Sequence, residues 1–135
     1  MELAAPTLGD AGLGRPVSPA VLLSGGPLAA ALTTAGTGVV TFDGADLTRW
    51  RADRVEDADG LAVYLRDRDS GRVWSAGWQP TAGADAYRAA VGPGTLEIVR
   101  EDGGVEARLC LFVAPQGALV GRLSLRALDG RARRV

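Results

Sequence analysis

The clearest pattern in the chain is the alternation from Val105 to Val113, with Val105, Ala107, Leu109, Leu111 and Val113 on one side and Glu106, Arg108, Cys110 and Phe112 on the other. A period of two puts successive side chains on opposite faces of a strand, so this stretch predicts a sheet element with one apolar face. The next run, Leu119 to Leu125, repeats the pattern with Leu119, Leu123 and Leu125 inward and Arg122 and Ser124 outward. The Ala114-Pro115-Gln116-Gly117 break between them carries turn residues, which predicts an antiparallel hairpin.

Upstream, Leu61 to Arg66 alternates Leu61, Val63 and Leu65 against Ala62, Tyr64 and Arg66. A polar turn over Asp67 to Gly71 and a strand from Arg72 to Ser75 follow. "TLEIVREDGGVEARL" predicts a second hairpin, turning at Glu101 to Gly104, and shorter strands are expected at Leu28 to Thr33, Val39 to Phe42, Leu47 to Arg51 and Ala86 to Val91. No segment sustains a helical period, and nineteen glycines with seven prolines interrupt the chain too often for helices. Short strands at this spacing predict an all-β fold, an antiparallel sandwich, over residues 22–135. Residues 1–21 mix Ala, Pro and Gly without a period and are expected to be a flexible leader or linker.

Composition narrows the chemistry. The 135 residues suit one domain, and the formal charge of -1 provides no footprint for nucleic acid or an anionic membrane. The chain has no histidine, which removes the commonest general base and metal ligand. No cofactor and no metal are expected. The single cysteine, Cys110, lies in an alternating run and reads as a buried, inert thiol in a reducing compartment. The first residues lack the basic start and compact apolar core of a signal peptide, and no run reaches the roughly 20 apolar residues that span a bilayer. A cytoplasmic location is the expectation.

Two candidate groupings have side chains suited to sugars, which are gripped by aromatic faces and bidentate polar groups. The first is Arg49-Trp50-Arg51. On a strand it would split, with both arginines on one face and Trp50 on the other, and Trp50 is expected in the core with the arginines pairing to Asp43, Asp46 or Asp53. The second is Trp74, Trp78 and Gln79, which either frame a pocket or fill the core. Apart from these, the turn Gly36 to Gly38 could present backbone N–H groups to an anion, but no helix or P-loop sequence follows and it reads as an ordinary tight turn. The acid pairs Asp67/Asp69 and Glu56 to Asp59 have the composition of a glycoside-cleaving pair, but beside arginines in polar turns they read as solvated charges. The terminal Arg131-Ala132-Arg133-Arg134 reads as a strand start or an exposed tail.

Taken in order, "LSGG", "LTTAGTG", "DLTRWRAD", "LAVYLRDRDSGRVWSAGWQPT", "YRAAVGPGTLEIVREDGGVEARLCLFVAPQ" and "LVGRLSLRALDGRARRV" resemble one known region. It is the N-terminal β-sandwich of glycoside hydrolase family 94, formerly glycosyltransferase family 36, and most of all the phosphorylase-type region of cyclic β-1,2-glucan synthases. The resemblance covers about Leu22 to Val135. It implies the first part of a galactose-mutarotase-like supersandwich, which in the family precedes a helical linker and an (α/α)6 barrel. That barrel holds the catalytic aspartate and the phosphate site. The expectation is therefore a non-catalytic fragment, not an enzyme on its own, whose missing partners are the rest of the sandwich and the barrel. A β-linked gluco-oligosaccharide is the implied partner molecule, and a freestanding carbohydrate-binding module or a self-associating assembly element are the alternatives. Thr48-Arg49-Trp50-Arg51 matches the family pattern intact. The stretch after Gly36-Thr37-Gly38 departs from it, with Val39, Val40 and Phe42 where the family carries hydroxyls and an indole.

Overall fold

The computed structural model describes residues 19–51 and 59–135. Among the described residues, ten strands make three antiparallel sheets. The first sheet, in the order β1-β2-β3-β4, comprises β1 (Ala20–Gly25), β2 (Leu28–Thr33), β3 (Gly38–Phe42) and β4 (Ala45–Asp46). A two-stranded hairpin follows, β5 (Tyr64–Arg66) and β6 (Val73–Ser75). The second large sheet, in the order β10-β9-β8-β7, comprises β7 (Ala86–Gly92), β8 (Thr95–Asp102), β9 (Val105–Ala114) and β10 (Ala118–Ala127).

The two large sheets form the layers of a sandwich. From the first come Leu23, Ala30, Leu32 and Val40; from the second, Leu96, Ile98, Leu109 and Leu111. Leu65 and Trp74, paired across the small hairpin, join the same core. The alternation along β9 survives intact, because burying one face fixes its register against β8 and β10. Its opposite face is a lattice of charges around Glu106, whose carboxylate lies 3.1 Å from Arg126, 3.7 Å from Arg88 and 4.0 Å from Arg108. Cys110 sits half-buried on this outer face, beside Glu97 and Arg122, and not in the core as expected.

Three points differ from expectation, the first being that Leu61 to Val63 is irregular, so the strand expected from Leu61 starts only at Tyr64. Leu47 to Arg51 is not a strand. Asp43 and Gly44 both take positive φ, and this two-residue turn reverses the chain at once, so β3 pairs with Ala45 and Asp46. The stretch beyond then bends away, its Leu47 and Thr48 amides both donating to the Val40 carbonyl. The structure also has a strand not expected from the sequence, β1, which starts at Ala20, two residues ahead of Leu22, and pairs with β2 along its whole length.

The terminal arginines are neither a strand nor a loose tail. They form a strap across the turn of the small hairpin. Arg133 meets Asp129 at 2.5 Å and Asp67 at 3.6 Å, Arg134 pairs with Asp69, and the Arg68 amide donates to the Arg134 carbonyl at 2.8 Å.

Candidate functional site

The loop that follows β6, residues 76–83, is built around one buried cation. Arg100 stands on the inward face of β8, in phase with Leu96 and Ile98, and is 1% exposed. An unpaired guanidinium there would be prohibitively costly, and the loop supplies acceptors to both terminal nitrogens, while Nε is buried without a partner. Its Nη1 donates to the Gly77 carbonyl at 2.7 Å and approaches the Ser75 and Thr81 hydroxyls at 3.4 and 3.3 Å. Its Nη2 donates to the carbonyls of Ala82 at 3.1 Å and Gly83 at 2.7 Å and to Asp102 at 2.8 Å. Asp102, equally buried, takes a second cation on its other oxygen, Arg72 at 2.5 Å. Irregular backbone is thereby wrapped around a fixed charge, so its carbonyls are satisfied without a ladder.

This loop is clasped to the turn between β2 and β3. The Gln79 amide donates to the Ala35 carbonyl at 3.1 Å, and the Tyr87 hydroxyl donates to the Thr34 carbonyl at 2.6 Å. Gly36 and Gly77 touch backbone to backbone: a Cβ on Gly36 would lie 3.0 Å from the Gly77 Cα. The turn itself is tied by Thr33 and Thr37, whose hydroxyls are 2.7 Å apart. Gly36 to Gly38 is thus a structural turn.

Of the residues selected from sequence, Trp74 and Trp78 go in opposite directions. Trp74 is 2% exposed and belongs to the core, so it frames no pocket. Trp78 is 36% exposed, carried on the Arg100-held loop, with its ring edge-on to Tyr87 at 5.5 Å and 71°. Gln79 is buried beside it. Arg49 and Arg51 are exposed and Trp50 is half-buried, outside the hydrophobic core. The alternation expected of a strand is kept by a segment that is not one. Asp53 lies outside the described residues, and among those described neither arginine pairs with Asp43 or Asp46.

The titrating groups act structurally. Burial pushes the Tyr87 phenol up to about 12, against the opposing effects of the Trp78 amide and Arg100, so it stays a neutral donor. Asp67 is buried, not solvated as expected. The Asp69 amide and the Ser70 hydroxyl hold its carboxyl below the usual carboxylate range, so it stays ionised and closes its turn. Glu56 lies outside the described residues. Among the described residues no set of acidic and thiol side chains converges in a way that could hold a metal ion. None of them forms a helix long and apolar enough to cross a membrane.

Sequence reasoning missed Arg100, Asp102 and Tyr87. The signal for the first two was a charged pair continuing the Leu96, Ile98 alternation on an apolar face. Tyr87 and Thr34 are far apart in the chain, and no local pattern joins them.

The fold agrees with what comparison finds. The family of the glycosyl hydrolase 94 supersandwich domain matches residues 11–135. This chain belongs to that family. Over 103 residues, 76% of the chain, the domain is 34% identical to the cyclic β-(1,2)-glucan synthase NdvB of Rhizobium meliloti (strain 1021), of which the match covers 4%. Over 74 residues, 53% of the chain, it is 38% identical to the N,N'-diacetylchitobiose phosphorylase of Vibrio proteolyticus, covering 9% of that protein. The supersandwich domain described here therefore spans less than a tenth of either relative.

Proposed function

We propose that this supersandwich domain is a non-catalytic part of a β-glucan phosphorylase or cyclic β-1,2-glucan synthase type protein, supporting the processing of β-linked gluco-oligosaccharides by a catalytic barrel outside this chain. Both relatives are named for reactions on sugars, and the match to each falls within a small share of a much longer protein. The single observation that carries a sugar-facing role is Trp78. This surface aromatic is carried on a loop whose carbonyls are held by a buried guanidinium, which fixes the loop that presents it. A rigid indole face is suited to the C–H side of a pyranose and gives up little entropy on contact. Gln79, buried beside it, ties the loop to the β2–β3 turn through its backbone N–H. Arg49, Trp50 and Arg51 are assigned a second, polar contact strip, with two exposed guanidiniums for hydroxyls.

The exposure of Trp78 also favours a second reading, in which the domain binds sugar as a freestanding module. A cytoplasmic location accords with the lone cysteine in either case.

Two measurements test the proposal. Incubation of the chain with β-1,2-glucan and inorganic phosphate is expected to release no sugar phosphate; release above a blank would overturn the non-catalytic assignment. Titration with β-1,2-gluco-oligosaccharides to millimolar concentration is expected to change tryptophan fluorescence in the native chain and to change it less in Trp78→Ala, where only Trp50 is left to report. No response in either would remove the sugar contact.

A further inference from the structure

Arg72 leaves the end of the β5–β6 turn, where the Asp67 amide donates to its carbonyl at 2.9 Å, and passes Gly103 of the β8–β9 turn to reach the carboxylate of Asp102. Its guanidinium lies 2.5 Å from Oδ1, and the contact is ionic, because among the described residues no hydrogen bond reaches that oxygen. The other oxygen, Oδ2, accepts from Nη2 of Arg100 at 2.8 Å. Arg100 is thus gripped by one carboxylate oxygen only. Its Nε, whose N–H points the same way as one of Nη2 in the guanidinium fork, is buried with no acceptor. Arginine and carboxylate pair most strongly through two parallel bonds, and here Arg72 draws the second oxygen away.

We infer that Arg72 is a positioning residue for Trp78: by holding Oδ1 of Asp102 it keeps Arg100 turned towards the loop that presents the indole. The bearing of this on sugar rests on the role proposed for Trp78. With Asp102 on one oxygen, Nη2 also donates to the Ala82 and Gly83 carbonyls at 3.1 and 2.7 Å, and Nη1 to the Gly77 carbonyl at 2.7 Å. Ala82 has a φ of 47°, a left-handed conformation that is unfavourable for a residue with a side chain and persists only where its surroundings over-determine it. The Ala82 amide in turn donates to the Trp78 carbonyl at 2.8 Å, closing the turn from 78 to 82. Without Arg72, a buried carboxylate oxygen and a buried N–H stand unpartnered on the same ion pair. Closing the fork through Nε and Nη2 satisfies both. The guanidinium then turns from the Ala82 and Gly83 carbonyls, Ala82 loses a contact that keeps it left-handed, and Trp78 moves with the turn. A side chain that is 52% exposed on the small hairpin thereby sets an aromatic carried by a different segment.

The test reads the full chain by NMR, first without sugar. In Arg72→Met the Nε–H signal of Arg100 is expected to move downfield as it gains the carboxylate, and the Trp78 indole signal to shift as its ring contact with Tyr87 is lost. Arg66→Met, which removes another exposed arginine from the same hairpin, is expected to leave both signals in place. Raising the salt of the native chain from about 0.1 M to about 1 M screens the half-exposed end of the network more than the buried one and is expected to move the Nε–H signal the same way, which decides the matter if Arg72→Met does not fold. Signals that stay in place, or that move equally in Arg66→Met, would overturn the inference. Titration with β-1,2-gluco-oligosaccharide then adds the functional readout, in which Arg72→Met is expected to bind about two- to thirtyfold more weakly than the native chain. If the signals move but neither chain binds, the positioning role stands and the sugar contact of Trp78 falls. If the signals move and both chains bind equally, Arg72 does not position the site and the inference falls.

Discussion

Arg100 and Asp102, two residues apart on one face of β8, meet at 2.8 Å with each side chain 1% exposed, and the guanidinium closes the loop that carries Trp78. Removing one partner of a buried pair leaves an uncompensated charge, which costs about 3–5 kcal/mol. Arg100→Met is therefore expected to lower stability by about that amount in urea unfolding, with the Trp78 emission shifted as the loop loses its donors. Arg100→Met combined with Asp102→Leu is expected to cost less than Arg100→Met alone, because no buried carboxylate is stranded. An equal or larger loss in the double variant would show that the carbonyl contacts, and not the ion pair, dominate.

The Tyr87 hydroxyl ties the second sheet to the β2–β3 turn through Thr34. Tyr87→Phe is expected to cost about 1 kcal/mol, the net worth of one hydrogen bond plus a carbonyl left to find water. With the folded pKa raised to about 12 from an ordinary 10, the phenol's contribution is complete below pH 10 and is lost as pH rises towards 12. Ultraviolet titration should show one tyrosine resisting ionisation until about pH 12, and Tyr87→Phe should abolish that late step.

Acid should act on the strap. Asp67 and Asp129 both have carboxyls held below the ordinary value, the first mainly by the Asp69 amide and the second mainly by Arg133. A depressed folded pKa means stability that is present above the ordinary value and lost as pH falls through the folded one. Unfolding midpoints should hold down to about pH 4 and fall below it. Asp67→Asn is expected to flatten that fall; an unchanged acid profile would assign it to other carboxylates.

On the outer face, Glu106 is shared by three arginines, of which Arg126 and Arg88 are more than half exposed. Glu106→Ala is expected to cost about 1.5–3 kcal/mol, the range for hydrogen bonds to charged groups, since it leaves three cations facing one another. Removing Arg126 alone, an exposed partner, is expected to cost less than about 1 kcal/mol. Thermal melts of the two variants separate these outcomes.

The sequence made most of the sandwich legible because half-buried strands write their face directly as alternation. Leu28–Thr33 and Val105 onward are where the pattern placed them. The expectation for Leu47 to Arg51 failed because the Asp43-Gly44 turn, itself a strong hairpin signal, spends the pairing capacity of β3 on the two residues that follow it. β1 was hidden by its Ala- and Gly-containing surroundings, since its pairing partner and not its own pattern makes it a strand. At the site, the aromatic composition was readable but its sorting was not. Trp74 is in β6, opposite Leu65, whereas Trp78 is on a loop whose path is set by Arg100, a residue supplied from a different sheet.

The most direct measurement is the response of the three indole N–H signals in an NMR spectrum of the chain, assigned by single Trp→Phe variants, to added β-1,2-gluco-oligosaccharide. The account predicts that the Trp78 signal moves in a saturable way, that the Trp50 signal moves if its strip takes part, and that the Trp74 signal, buried in the core, stays in place. A Trp78 signal that does not move at millimolar sugar, or movement of the Trp74 signal alone, would contradict it.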